Sequence, residues 1–278
     1  MARPDFVEIV GRALSEDLGT RGDITSDACV PKSSNSEAVF VARAPGVVAG
    51  LEVAAYVFEA LDPSVSFEQM ISDGDRVEPE TVIARVKGHS RSILTGERTA
   101  LNLLGRMSGV ATATARLVEA VSGTGAKISD TRKTMPGLRA LDKYAVRVGG
   151  GMNHRFGLYD AVLIKDNHLV ASGSIAGAVS AARSKIDPGV MVEVEVEDLE
   201  QLALVLETDA DRVLLDNMGP DLLRKAVALV DGRITTEASG GVTEENVREL
   251  AATGVDIISV GWITHSPPQL DIALDFVS

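Results

Sequence analysis

Six apolar runs in the second half of this chain each carry, or end in, a group able to do chemistry. Asp130-Thr131-Arg132-Lys133 closes the first and Lys165-Asp166-Asn167-His168 the second. Glu193 and Glu195 stand two apart in the otherwise apolar third run. Asp216-Asn217 closes the fourth, Glu237-Ala238-Ser239-Gly240-Gly241 the fifth, and Gly261 the sixth. Arg132, His154, Arg155 and Lys165 are donors suited to carboxylates, which Arg can grip bidentately. Glu195 and Asp216 are oxygen donors suited to ribose hydroxyls or to Mg²⁺, which favours one or two carboxylates plus substrate phosphate. Ser239-Gly240-Gly241 and Gly261 present backbone N–H groups of the kind that hold phosphate at the last two strands of α/β barrels. The set calls for a sugar phosphate, a divalent cation and a multiply carboxylated partner.

Taken singly, most of these residues have a plainer explanation. Asp216-Asn217 is also a helix cap, one strand Glu can pair with a core Lys, and the glycines make tight turns. A charge pointing into a barrel is costly unless it is paired or liganded. Six polar strand ends in one register therefore point to an active site. No nucleophilic triad, zinc spacing or dinucleotide-binding glycine fingerprint is present, and Gly149-Gly150-Gly151 lacks the strand–turn–helix context of the last.

Such a site needs strands that end together. From residue 126 the chain alternates strand, loop and helix. The strands are expected at 126–130, 161–165, 190–196, 212–216, 233–239 and 256–261, with helices at 174–183, 199–206, 220–230 and 244–252. This rhythm predicts parallel strands with right-handed crossovers. Six strands fall short of the usual eight, so the expected fold class is α/β, an incomplete, open parallel barrel. Residues 1–109 read as an α+β sandwich domain: a helical start, a strand–turn–strand at 38–50, a helix at 53–61 and short strands near Val65 and at 82–86. The barrel domain is expected over 110–267, entered through a long helix at 96–121 rich in small residues. A last helix, 268–278, is expected to return toward the first domain.

Composition narrows the class. The chain has 278 residues, 45% hydrophobic and only 4% aromatic, which suits Val-rich strands and Ala/Leu-rich helices. One cysteine, Cys29, excludes an intrachain disulfide. The opening residues carry acids and no continuous apolar stretch, and no run is long enough to span a membrane, so a cytoplasmic protein without membrane contact is expected. The net charge of −13 argues against nucleic acid as a partner. Within this acidic chain, Asp130 to His168 holds seven Lys or Arg against four acids, a local basic island.

Three blocks resemble the nicotinate-nucleotide pyrophosphorylase (quinolinate phosphoribosyltransferase, decarboxylating) family closely. They are Asp130 to Arg139 (DTRKTMPGLR), Gly149 to Arg155 (GGGMNHR) and Ile164 to His168 (IKDNH). Shorter matches run in order along nearly the whole chain: Glu16 to Gly19, Gly96 to Asn102, Glu193 to Val196, Leu215 to Asn217 and Thr264 to Ser266. The resemblance implies a homodimer with shared active sites. It also implies transfer of a phosphoribosyl group from phosphoribosyl pyrophosphate to quinolinate with Mg²⁺, giving nicotinate mononucleotide, pyrophosphate and CO₂. By motif, Arg132, His154, Arg155 and Lys165 would hold quinolinate, with Arg98 reaching in from the partner subunit. Lys133, Glu195, Asp216, Ser239, Gly240, Gly261 and His265 would serve the phosphoribosyl donor, with Glu195 and Asp216 on the metal. Trp262 departs from the small residue common there.

Three other readings compete. A Schiff-base aldolase would use Lys165 but leaves the Arg/His cluster without a purpose. A phosphoribosyltransferase acting without decarboxylation would use much the same site. A biotinyl or lipoyl carrier module at 46–88 needs an exposed lysine at a hairpin tip, and Lys87 is the only lysine there.

Overall fold

The computed structural model describes residues 5–277, so the first four residues of the expected N-terminal helix and Ser278 lie outside the described residues. The chain divides into two compact units. One takes the chain up to Ala115, residues 134–150 and the tail from Ile263, and the other takes Arg116–Lys133 and Gly151–Trp262.

The first unit opens with α1 (Val7–Leu18) and α2 (Ile24–Cys29). Asp23 caps α2, its carboxylate accepting from the Ser26 N–H at 2.9 Å and from the Thr95 hydroxyl. β1 (Asn35–Ala42) leads through β2 (Gly46–Val47) to α3 (Leu51–Leu61), followed by β3 (Ser66–Gln69), β4 (Arg76–Val77) and β5 (Val82–His89). Asp73 accepts the N–H groups of Gly50 and Leu51 at the start of α3, and the Tyr144 hydroxyl donates to it as well. An aromatic trio of Phe40, Phe58 and Phe67 seals α3 to the sheet, with ring centroids 5.6–6.1 Å apart. Lys87 lies inside β5 rather than at a hairpin tip, which leaves a carrier module without its modifiable lysine.

The helix expected at 268–278 is not formed. Residues Ile272–Phe276 are a strand, β12, paired antiparallel with β1 from Ala42↔Ile272 to Ala38↔Phe276. Leu270, Ile272, Leu274 and Phe276 alternate with polar or small residues at period two, and β1 would otherwise carry an open edge of unpaired backbone groups. The resulting sheet has the order β12-β1-β5-β3. The tail reaches it by crossing α4 (Ser90–Ala120), a helix that starts six residues earlier than its periodicity suggests. The crossing uses two glycines one turn apart. The Leu270 N–H donates to the Gly105 carbonyl at 3.0 Å, and a Cβ on Gly109 would lie 2.2 Å from the Pro268 carbonyl oxygen.

α5 (Arg139–Val148), a helix not among those expected from the sequence, also belongs to this unit. It takes up three of the seven cations of the basic island, Arg139, Lys143 and Arg147. Lys143 is fully buried, and Arg147 lies over the Tyr144 ring. Asp142 of the same helix is buried against Arg106, in a two-bond pair of 3.0 and 2.9 Å. These charges stabilise the fold and do not line the cavity described below.

The second unit is the α/β layer. β6 (Lys127–Ser129), β7 (Val162–Ile164), β8 (Val192–Val196), β9 (Arg212–Asp216), β10 (Thr235–Ser239) and β11 (Ile257–Ser259) form one parallel sheet. Its order is β6-β11-β10-β9-β8-β7, so the first strand pairs with the last. The ring stays open between β6 and β7. There Met152 alone bridges Ser129 as a one-residue strand, accepting from the Asp130 N–H and donating to the Ile128 carbonyl. α6 (Asp166–Ser172), α7 (Ile175–Arg183), α8 (Leu199–Val205), α9 (Pro220–Val230) and α10 (Val247–Ala251) fill the connections, and a short α11 (Trp262–His265) follows β11. Ser174 and Asp198 cap α7 and α8 with their side chains, and Pro220 opens α9. Val192, Val194 and Val196 alternate with Glu193 and Glu195, so one face of β8 is apolar and the other acidic.

The crossing at Gly109 gives a direct prediction. Gly109→Ala sets a methyl against backbone rather than a movable side chain, and overpacking of this kind costs about 1–3 kcal/mol. Denaturant unfolding should report that loss, while Gly123→Ala, whose Cβ meets nothing within 4 Å but needs a φ of +80°, should show only the smaller backbone cost.

Candidate active site

Parallel strands expose their C-terminal ends together, and here those ends surround a cavity of about 570 Å³. Nine of the residues singled out from sequence line it: Arg132, Lys133, His154, Arg155, Lys165, Glu195, Asp216, Ser239 and Gly240. Gly261, just before α11, does not line the cavity. Arg98, exposed on α4, and His265, exposed beside Ser266 at 2.6 Å, belong to the other unit and are absent from the lining.

The cationic side is built from two loops. Asp130 is fully buried and holds the second loop by accepting from the Asn153 amide at 2.6 Å and the His154 N–H at 2.8 Å. Arg155 leaves that loop half-buried, donating to the Ala161 carbonyl at 3.0 Å. Burial, and then the neighbouring Arg132 guanidinium, lower its pKa. Both guanidiniums line the same cavity, and two such groups suit an anion with two carboxylates. Lys165, at the end of β7, makes a close ion pair with Oε2 of Glu195 on the adjacent strand β8. An amine committed to a carboxylate in this way is poorly placed to be the free nucleophile of an aldolase.

Behind this rim sits a layer the sequence reading did not assign. His154 Nε2 lies 3.0 Å from Glu193 and 3.4 Å from Glu237, and both carboxylates are fully buried. Arg212 donates to Oε2 of Glu237 at 3.0 Å, and the Ser259 hydroxyl donates to Oε1, the oxygen that faces His154. Burial works against charge on the imidazole, but the two carboxylates outweigh it and raise its pKa from 6.5 to about 9. Burial raises the pKa of Glu193. Glu237 is lowered, because His154, Ser259 and Arg212 together overcome its burial. The signal for this layer was present as period two. Stepping back two residues from each strand end leads from Ser239 to Glu237, from Asp216 to Leu214 and Arg212, from Lys165 to Leu163, and from Gly261 to Ser259; Glu193 stands in the same relation to Glu195.

The phosphate side rests on a strained turn. Asn217 takes a left-handed φ of 54°, donates its N–H to the Ser239 carbonyl at 2.8 Å, and passes its amide to Asp216 at 2.6 Å. Gly240, at φ +97°, makes room for it: a Cβ there would sit 2.1 Å from the Asn217 side-chain oxygen. Trp262 donates its indole N–H to the Val242 carbonyl at 3.0 Å, tying the glycine turn to α11, which gives a reason for the large residue at that position.

The fold and this cavity define an open α/β-barrel enzyme class with charged groups gathered at the strand ends. Residues 110–275 match the sequence model of the quinolinate phosphoribosyl transferase C-terminal domain, and residues 23–108 match that of its N-terminal domain. The chain belongs to the quinolinate phosphoribosyltransferase family. It is 46% identical over 268 residues to a probable nicotinate-nucleotide pyrophosphorylase [carboxylating] of Bacillus subtilis, covering 96% of this chain and 92% of that one. It is 42% identical over 288 residues to a mitochondrial quinolinate phosphoribosyltransferase [decarboxylating] of Nicotiana glauca, covering 97% and 82%. The crystal structure of nicotinate-nucleotide pyrophosphorylase from Ehrlichia chaffeensis superposes with a TM-score of 0.95 at 39% identity, over 99% of this chain and all of that one. No helix among the described residues is long and apolar enough to cross a membrane.

Gly240→Ala tests the turn. The substitution meets both a left-handed φ and the Asn217 side chain, so Asn217 must move and carry Asp216 with it. Turnover should fall at least about tenfold with the melting temperature lowered by only a few degrees, consistent with a local cost of about 1–2 kcal/mol. Full turnover would mean that the Asn217–Asp216 contact has no part in the chemistry.

Proposed function

We propose that this chain transfers the phosphoribosyl group of phosphoribosyl pyrophosphate to quinolinate, releasing pyrophosphate and CO₂ and forming nicotinate mononucleotide for NAD biosynthesis. The observation that carries the reading is the pairing of Arg132 with Arg155, joined on one rim by Lys165, opposite Glu195, Asp216 and the Ser239-Gly240-Gly241 turn. Two adjacent ring carboxylates fit the cationic side, and a phosphorylated ribose fits the other. Lys133, exposed at the rim, is suited to a phosphate of the donor.

The pyridine nitrogen already owns its lone pair, so no general base is needed. It bonds to the ribose carbon as the bond from that carbon to pyrophosphate breaks, and the pair leaves with pyrophosphate. Positive charge that develops on the ribose carbon is stabilised by Glu195 and Asp216. The carboxylate beside the ring nitrogen then departs as CO₂. Its bonding pair remains on the pyridinium carbon, which takes up a proton. The protein contributes orientation and charge placement.

Glu195 and Asp216 would also hold Mg²⁺. They stand half-buried at the ends of neighbouring strands, and their contacts engage Oε2 of the one and Oδ2 of the other, leaving a second oxygen on each. A hard cation with few protein ligands and substrate phosphates suits that pair. The trio His154, Glu193 and Glu237, whose ligand atoms lie within 4.8 Å of one another, is instead knitted by Arg212 and Ser259 into an ion-pair cluster. When bound, Mg²⁺ supplies charge neutralisation on the leaving pyrophosphate.

Product analysis tests the reaction. With phosphoribosyl pyrophosphate and Mg²⁺, quinolinate labelled in the carboxylate next to the ring nitrogen should yield one labelled CO₂ per nicotinate mononucleotide, and nicotinate should not be a substrate. Turnover of nicotinate without CO₂ would replace this reading with that of a phosphoribosyltransferase that does not decarboxylate.

We propose further that the active form is a homodimer in which Arg98 reaches the partner's cavity. Exposed Leu158 and Tyr159, in the loop that follows Arg155, offer apolar surface beside the site, and Arg98 is exposed on its own helix. Arg98→Ala and Lys165→Ala homodimers should each be nearly inactive. After subunit exchange, activity should recover toward about a quarter of wild type, because half of the dimers then hold one intact site of two. No recovery despite demonstrated exchange would confine Arg98 to its own chain.

A further inference from the structure

The buried pair of Arg106 and Asp142 makes more bonds than an ion pair needs. The Arg106 guanidinium donates from Nε to Oδ1 of Asp142 at 3.0 Å and from Nη2 to Oδ2 at 2.9 Å. Nη2 gives a second hydrogen bond, to the Thr264 carbonyl at 2.7 Å. Oδ2 takes a second one, from the Met135 N–H at 3.2 Å. Asp142 is fully buried and Arg106 nearly so. Burial pushes the Asp142 carboxyl up, with Arg106 and the Met135 N–H pulling against it. In such a place desolvation offsets most of the attraction between the charges, so stability alone gives little reason for the pair. The two bonds to backbone give a better one. Met135 ends the stretch 131–135, which is neither helix nor strand and carries Arg132 and Lys133 away from the end of β6. Thr264 lies in α11, whose first residue, Trp262, donates to the Val242 carbonyl beside the Gly240-Gly241 turn. The partners themselves stand on helices, Arg106 on α4 and Asp142 on α5.

We propose that Arg106 and Asp142 are positioning residues that act on both walls of the cavity at once. Asp142 fixes the far end of the loop that bears Arg132 and Lys133. Arg106 fixes α11 and, through Trp262, the glycine turn. A dicarboxylate and a sugar phosphate must meet in one geometry for the ring nitrogen to reach the ribose carbon, and a small misplacement of either is costly. One pair that grips both segments keeps the two sets of donors in step. The part of this inference that concerns substrates rests on the reading that the cavity takes quinolinate and phosphoribosyl pyrophosphate; the part that concerns the two segments does not.

The test separates the planar fork from the charge. Arg106→Lys keeps a cation beside Asp142 but cannot serve both carboxylate oxygens and the Thr264 carbonyl from one rigid group. Asp142→Asn keeps the shape, but whichever way its amide turns, an N–H of Arg106 then faces another donor. The control is Asp256→Ala, which removes the acceptor of the Thr236 N–H at 2.8 Å and of the Thr236 hydroxyl at 2.7 Å, at the opposite end of β10 and β11 from the cavity. Backbone hydrogen exchange should quicken at least about tenfold across α11 in Arg106→Lys and at Met135 in Asp142→Asn, and at neither in the control. KM for quinolinate and KM for phosphoribosyl pyrophosphate should both rise about tenfold in each variant. The control should lose as much melting temperature and leave both KM values within about twofold. Unchanged exchange overturns the proposal. So does a rise in one KM only, or KM changes that track melting temperature across all three variants. Should Arg106→Lys fail to fold, Asp142→Asn carries both readouts. If wild-type protein does not turn over quinolinate, the functional reading fails, and exchange alone decides whether the pair holds the two segments.

Discussion

Ionisable side chains buried under a parallel sheet's open end must cancel one another, and the active end of this barrel depends on that balance. Glu193 and Glu237 have no exposed surface, and each would be untenable alone. Arg212 answers one negative charge, and the imidazole of His154, whose pKa the two carboxylates raise to about 9, answers the other. Because those groups come from β8, β9, β10 and the 151–155 loop, the balance is met only when the strands sit in register. The same condition that makes the core tolerable therefore fixes the height at which Glu195, Asp216 and Ser239 emerge. Register and site are one requirement.

Above that layer the charges are deliberately unequal. Arg132, Arg155 and Lys165 line one rim, and Lys165 is in close contact with the carboxylate of Glu195. Repulsion between the two guanidiniums is a cost to the free enzyme that a dicarboxylate relieves on binding. The other wall offers carboxylates and a turn of backbone N–H groups, which suits a sugar phosphate. Most of the molecule's net negative charge lies elsewhere, so attraction of an anionic substrate is a property of the cavity and not of the whole surface.

How much of this could be read from the chain alone varies with the physics of each part. The six strands and the open barrel were legible, because apolar runs of five or so residues separated by helical spacing leave few topologies. Residues at strand ends were legible because polarity stands out against Val and Leu. The layer beneath was missed, although Glu237 lies two residues before Ser239, because a strand's inward positions do not announce which neighbour will neutralise them. The tail was misread as helix: its period-two alternation was visible, but the unpaired edge of β1 that makes a strand favourable is a tertiary fact. Part of the basic island was likewise fold rather than function, since whether Lys143 and Arg147 face a cavity or a core depends on where α5 packs.

The most direct test of the buried balance is a double-mutant cycle on Glu237 and Arg212. Each of Glu237→Gln and Arg212→Gln leaves an unanswered charge, and breaking such a pair from one side costs about 3–5 kcal/mol. The double variant removes both charges together. If the balance governs the site, denaturant unfolding will show the double variant to be less destabilised than the sum of the singles by at least about 1 kcal/mol. Quinolinate affinity will follow the same pattern. Strictly additive losses in stability would contradict the account, because the two side chains would then be tolerated independently and the register would owe nothing to their pairing.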